Sequence, residues 1–356
     1  MEPLIGAEVL WIPIDDTSAV GAARRMATGL ATRAGFGETR SGELAIAVTE
    51  LAGNLHRHAR DGAVALRLTR PYLSTDDSGE AAVEVIALDA GPGMEDFETH
   101  LRDGYSTGGT LGVGLGAVTR LASTLDAWSQ AGRGTVVVAR FGAARRPFTR
   151  IGDPAPVGTE LAAGLTRSIA GETACGDAYA VRRTDDGVVA VLCDGLGHGP
   201  LAARAAQRGV EVFLDSAEVD VTALVTRLHR ELRPTRGAAI GVVRHDVDRG
   251  LVQFAGLGNI AGAVVPIARS GERSRHVTSM PGIAGHQART IRSFDYPADD
   301  STLVVLHTDG VSTRWSLDGQ WALTRHDPLV IAAALMRDAA TRRDDAGVLV
   351  LKANPR

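Results

Sequence analysis

Residues 176–199 read GDAYAVRRTDDGVVAVLCDGLGHG. Two alternating, β-branched runs flank the turn Thr184-Asp185-Asp186-Gly187, which is the pattern of a hairpin. The midpoint between Asp177 and Asp194 falls between Asp185 and Asp186, so a regular hairpin sets these two carboxylates directly opposite each other. Cross-strand β-carbons lie about 4.5–5.5 Å apart. Carboxylates that close repel unless a proton or cation intervenes, which favours a hard divalent metal.

Further acids stand at strand ends. Asp309 closes the pattern TLVVLHTD, and Asp344-Asp345 precede the last strand, GVLVLKA. Aspartate is common in turns, and any one of these positions alone reads as a turn residue. Four together read as a carboxylate metal cluster. His198, in the Gly-His-Gly turn after Asp194, has two readings, an acid or phosphate contact and a structural turn residue. Cys175 and Cys193, the only cysteines, lack zinc-site spacing and read as small buried residues.

Upstream, the stretch 142–160 (GAARRPFTRIGDPAPVGTE) is rich in Gly, Pro and Arg and has no sustained period, so it marks a linker between domains 1–141 and 161–356. The first domain opens with helical spacing over 17–33, capped by Asp16 or Thr17, and a second helix from about 38 to 59. Strand patterns follow near 63–70 and 81–89, then a glycine-rich segment that turns helical, then a hairpin around Ala131-Gly132. On the second helix Glu50 and Asn54 share one edge beside an apolar stripe. Asp89-Ala90-Gly91-Pro92-Gly93 ends a strand with an acceptor carboxylate and glycines that admit a ligand close to the backbone. The string 108–116 leads into a helix whose free amides suit phosphate. Lys352 is the only lysine, which removes a Walker-type phosphate loop and lysine Schiff-base chemistry.

The 356 residues are 44% hydrophobic and 22% charged, with a net charge of -4. That length suits two cores, and the balance favours neither nucleic acid nor an anionic membrane, leaving a protein or small-molecule partner. The N-terminus lacks a basic region and no apolar run approaches about 18 residues, so a cytoplasmic location is expected.

Taken in order, TELAGN, DAGPG, DGYSTGGTLGVGLG and GRGT resemble the N, G1 and G2 boxes and closing threonine of the GHKL ATP-binding fold, in its RsbT-like switch-kinase branch. The resemblance implies an α/β sandwich binding ATP with Mg²⁺. It assigns Glu50 as general base, Asn54 to the magnesium ion, Asp89 to the adenine amino group, Gly91 and Gly93 to the adenine pocket, Gly112, Gly114 and Gly116 to the phosphates, and Thr135 to adenine. Gly53 stands where that family's pattern has a side chain.

ACGDAY, LCDGLGHG, LHTDGVST and RRDDAG resemble the PPM phosphatases of the SpoIIE and RsbX branch, with TRGAAIGVV, AGLGNIAG and MPGIAG between them similar to RsbX. This implies an α-β-β-α sandwich with two Mn²⁺ or Mg²⁺ ions, hence an α+β chain of two domains. The resemblance makes Asp194 the bridging ligand, adds the Gly195 carbonyl, completes one ion with Asp309 and Asp344, and supports the other with Asp177. Asp345-Ala346-Gly347 lacks the threonine that in the family follows the acidic pair. Together the halves imply a regulator that adds and removes phosphate on a STAS-domain antagonist or stressosome protein. The rival expectations are a first domain that binds ATP and captures the partner without transfer, and a non-catalytic scaffold.

Overall fold

A computed structural model describes residues 4–5, 8–69, 81–94, 114–144, 149–150, 162–267, 273–299, 301–341 and 343–352. The chain divides into two compact units, 7–159 and 160–356, the latter joined by residues 1–6. Most of the stretch expected as a linker lies outside the described residues.

The chain opens with a two-residue strand, β1 (Leu4–Ile5), which pairs in the second unit, where residues 1–141 were expected to form one domain. The first unit then builds β2 (Leu10–Pro13), α1 (Thr17–Arg33), α2 (Glu38–His58), β3 (Ala63–Thr69), β4 (Ala82–Leu88), α3 (Gly114–Leu121), β5 (Thr124–Gln130), β6 (Gly134–Gly142) and β7 (Thr149–Arg150). Its sheet runs β2-β3-β4-β6-β5-β7, antiparallel except for the last pair. Asp16 caps α1 by accepting from the amides of Ser18 and Ala19.

The apolar stripe of α2, Leu44, Val48, Leu51 and Leu55, is buried with Val64, Leu66, Val83 and Val85 of the sheet in one core. Arg40 is also buried on α2. It donates to the Gly142 and Leu121 carbonyls at 2.8 and 2.6 Å and to Ser123 Oγ at 2.9 Å, tying the helix to the ends of β6 and α3.

The second unit packs two antiparallel sheets with helices outside. β8 (Ala162–Arg167), β9 (Asp177–Thr184), β10 (Gly187–Gly195), α4 (Pro200–Leu214), α5 (Val221–Glu231), β11 (Ala238–Asp246), β12 (Leu251–Leu257), β13 (Ala261–Pro266), β14 (Arg275–His276), β15 (Gly282–Ile283), β16 (Gln287–Ala288), β17 (Phe294–Pro297), β18 (Thr302–His307), α6 (Trp321–Thr324), α7 (Pro328–Ala339) and β19 (Ala346–Lys352) follow in order. One sheet runs β1-β9-β10-β11-β12-β17 and the other β14-β13-β18-β19-β8, with β15 and β16 a separate hairpin. Helices α4 and α5 cover the first sheet and α7 the second, so the expected α+β chain with an α-β-β-α second unit is the observed one. Among the described residues no helix is long and apolar enough to cross a membrane.

Candidate functional site

The β9–β10 register places Asp177 directly opposite Asp194, as the hairpin arithmetic requires. Asp177 is 5% exposed. Its Oδ2 accepts from Thr308 Oγ1 at 2.7 Å, whereas its buried Oδ1 has no hydrogen-bond partner. A buried carboxylate oxygen without a donor costs several kcal/mol by rough reckoning unless something positive meets it. Burial and the facing Asp194 hold the Asp177 carboxyl well above the usual range, against the Thr308 hydrogen bond. Burial, with Asp309, Asp344 and Asp345 around it, likewise lifts Asp194 to about 7.

Asp309 lies just past β18. Burial and the nearby Asp344 raise its carboxyl, and Asn259 Nδ2 donates to its Oδ2 at 2.7 Å. Asp344 precedes β19 and accepts at Oδ1 from the Asp345 amide, 2.9 Å away. The start of β9, the end of β10 and the turns after β18 and before β19 thus bring Asp177, Asp194, Asp309 and Asp344 into one connected electrostatic cluster. Among the described residues no three acidic, histidine or cysteine side chains are already gathered tightly enough to hold an ion.

Thr308 and Asn259 were not singled out from sequence, and Asp345 was noted only as the neighbour of Asp344. Thr308, just past β18, links Asp177 to the Gly347 amide, its Oγ1 donating to Asp177 at 2.7 Å and accepting from Gly347 at 2.8 Å, beside the Asp345-Ala346-Gly347 stretch that lacks the family's threonine. Asn259 sits in the RsbX-like stretch AGLGNIAG and engages Asp309. Asp345 is buried and accepts from the Ile169 and Gly176 amides, both at 2.7 Å, so it fastens loops and has both oxygens committed. Their signal was adjacency to the quoted motifs, since each lies within or one residue from a motif acid or glycine.

Gly195 donates its amide to the Gly176 carbonyl at 2.9 Å. His198 is exposed, with Nδ1 3.3 Å from Glu172 Oε1. Cys193 is fully buried and Cys175 partly so. Burial, reinforced by Asp177, raises both thiols far above their ordinary value, which keeps them protonated and unreactive.

In the first unit, Glu50 and Asn54 are both half-buried, one turn apart on α2. The Asn54 amide oxygen accepts from Arg57 Nη2 at 3.0 Å. Asp89 follows β4, is buried, and accepts at Oδ1 from the Gly91 amide at 2.7 Å. Its own amide donates to the Thr135 carbonyl, and Ala90 donates to Arg60, so the end of α2, the Asp89 turn and β6 meet in one place. Thr135 Oγ1 lies 2.9 Å from Ser129 Oγ. Gly93 has φ +65°, and a β-carbon there would fall 2.0 Å from the Gln130 carbonyl oxygen, so only glycine fits against the β5–β6 turn. Gly114 and the buried Gly116 open α3, which packs on α2. Gly112 lies outside the described residues.

Residues 13–141 match the family described as histidine kinase-like ATPase domain, and residues 184–354 match stage II sporulation protein E, SpoIIE. The serine/threonine-protein kinase RsbT of Bacillus subtilis (strain 168) is 35% identical over 118 residues, 33% of this chain and 84% of RsbT. The phosphoserine phosphatase RsbX of the same organism is 21% identical over 142 residues, 40% of this chain and 70% of RsbX. A solved chain described as "The bacterial stressosome: a modular system that has been adapted to control secondary messenger signaling" superposes with a TM-score of 0.50 at 29% identity, covering 54% of this chain and 98% of that one. The chain therefore belongs to the RsbT family of histidine kinase-like ATPases through its N-terminal part, to which is fused a SpoIIE-type domain matching RsbX.

Proposed function

We propose that the chain is a bifunctional regulator of partner switching: its second unit removes phosphate from a phosphoserine or phosphothreonine of a STAS-domain antagonist or stressosome protein, and its first transfers phosphate from ATP to a serine of such a protein. The observation that carries the phosphatase half is the opposed pair Asp177 and Asp194, with a buried, partnerless oxygen on Asp177 and further acids, Asp309, Asp344 and Asp345, acting on the pair. That donor set is all hard oxygen and suits two Mn²⁺ or Mg²⁺ ions. Asp194, Asp309, Asp344 and the Gly195 carbonyl would hold them, with Asp177 in support. Such ions, when bound, supply charge that acidifies a water nucleophile and offsets the phosphoryl oxygens.

The remaining work falls to the chain. Thr308 fixes the Asp177 rotamer, Asn259 engages Asp309, and Asp345 holds the β8–β9 connection that leads into Asp177, so these neighbours orient the acids that would meet an ion. Titration with Mn²⁺ is expected to show saturable binding and a rise in thermal stability of the full chain, about 2.7 kcal/mol at a hundredfold excess over Kd, reversed by chelator. Absence of saturable binding would remove the metal-dependent reading.

In the first unit Glu50 would take the proton of the attacking serine, and Asn54 would hold the Mg²⁺ that accompanies ATP. One contact favours the second reading, an ATP-binding module that captures its partner without transfer: Arg57 already occupies the Asn54 oxygen. Transfer of labelled γ-phosphate to the STAS protein separates the two. We expect Glu50→Ala to lower it by about 10²-fold or more, whereas equal transfer by variant and wild type would leave Glu50 out of the chemistry.

A further inference from the structure

Arg236 stands just before β11, whose residues Ala238 and Ala239 pair with Gly195 and Asp194. Its guanidinium therefore lies beyond the acidic hairpin end, with Nη1 3.3 Å from where a β-carbon on Gly197 would be. The side chain is exposed, and among the described residues it has no ion-pair or hydrogen-bond partner.

Its backbone, by contrast, is clamped from several sides. Leu196 donates its amide to the Gly237 carbonyl at 3.0 Å, which ties the loop after Asp194 to the residue after Arg236. His286 Nε2 lies 2.8 Å from the Arg236 carbonyl oxygen, and Ala238 exchanges two backbone hydrogen bonds with Ala284 at 2.9 and 3.1 Å. Thr235 Oγ1 accepts from the Gly237 amide and donates to the Leu232 carbonyl. Gly237 has φ +80°, and a β-carbon there would fall 2.5 Å from His286 Cδ2, so the turn closes only with glycine. An uncommitted cation on a fixed main chain, next to the loop that follows Asp194, is placed to attract an anion that the carboxylates alone would repel.

We infer that Arg236 binds the phosphoryl oxygens of the phosphoserine substrate. The inference rests on the phosphatase reading of the Asp194 site. The planar guanidinium fork matches two non-bridging phosphoryl oxygens, and a lysine supplies charge without that fork. The β15–β16 hairpin, through His286 and Ala284, acts as the positioning clamp. Arg236 makes its contact with bound phosphate before and during reaction, so its loss weakens binding more than it slows turnover.

The test uses the Mn²⁺-loaded full chain and a phosphoserine peptide, comparing wild type, Arg236→Ala, Arg236→Lys and His286→Ala, with direct calorimetric binding of inorganic phosphate as a second readout. For Arg236→Ala we expect KM and the inorganic phosphate Kd to rise together by about tenfold or more, kcat to change less, and Mn²⁺ affinity to stay at the wild-type value. Arg236→Lys should recover part of the loss, and His286→Ala should raise KM by a smaller factor. KM and phosphate Kd of Arg236→Ala within twofold of an active wild type would overturn the assignment of Arg236 and leave the phosphatase reading standing. A wild type that takes up Mn²⁺ but releases no phosphate from any phosphoserine substrate would overturn both.

Discussion

Replacing Glu84 with glutamine is expected to destabilise the β3-β4-β6 core by about 3–5 kcal/mol, the usual cost of removing one partner from a buried ion pair. Glu84 is 1% exposed in the centre of the first unit's sheet, directly opposite Arg67 on one side and Arg140 on the other. Its two oxygens accept from the Nε atoms of those arginines, each at 2.5 Å. Burial alone would raise this carboxyl, but the two guanidiniums overcome it and hold it at about 2. A glutamine keeps the shape and removes the charge the arginines share.

The sign of the pH dependence follows. Glu84 is lowered in the folded state from an ordinary 4.5, so its contribution is complete above that value and is lost as pH falls through 4.5 towards about 2. Wild type should lose stability over this range, and Glu84→Gln should lose less. Hydrogen exchange of β3, β4 and β6 in the full chain measures the local opening energy. Protection unchanged to within about 0.5 kcal/mol would show that the triad contributes little.

Asp194→Asn should act in opposite directions on stability and activity. In chelated protein Asp194 sits among like charges with its carboxyl lifted from 3.8 to about 7. An acid whose folded value is raised is held more tightly by its proton in the folded state, so ionising it costs stability as pH climbs from about 4 to about 7. Asparagine escapes that cost, and metal-free Asp194→Asn should exceed wild type at pH 7.5 by on the order of 2 kcal/mol, allowing for repulsion shared with the neighbouring acids. The same change removes the central ligand. Mn²⁺-dependent stabilisation should vanish and phosphate release should fall by about a thousandfold, or about 4 kcal/mol in barrier. Thermal melts with and without chelator give the first result and phosphate assays the second. A variant less stable than wild type when metal-free would show that Asp194 supports the fold instead of straining it.

What could be read in advance divides along physical lines. Local signals were legible: the Asp16 cap, the apolar stripe of α2, and the turn at Asp185-Asp186-Gly187, whose symmetry was enough to set Asp177 against Asp194. So were short motifs in order, which carried the family and the α+β class. Interactions across distant strands were not. Only the three-strand register lines up Arg67, Glu84 and Arg140 as a buried triad. Arg40 pairs with Glu43 one turn on, but its other partners lie 81 to 102 positions away. The same holds for Thr308 and Asp345, whose contacts with Asp177, Ile169 and Gly176 exist only once the two sheets face each other.

The pairing of β1 with β9 had no signal either, because two residues carry no period. For the candidate ATP site the sequence order of motifs says more than the described geometry does, since Gly112 and the string before it fall outside the described residues. Around Asp194 the balance is reversed, and the orphaned Asp177 oxygen, which no motif could reveal, is the strongest single pointer to a cation.

The central claim, that the acidic hairpin end dephosphorylates a partner protein, is tested most directly by incubating the full chain with Mn²⁺ and a serine-phosphorylated STAS-domain protein from the same genome and following inorganic phosphate. The account predicts steady release by wild type, reduced about a thousandfold in Asp194→Asn. Intact binding of the STAS protein with no phosphate release from wild type would contradict it and leave a scaffold in its place.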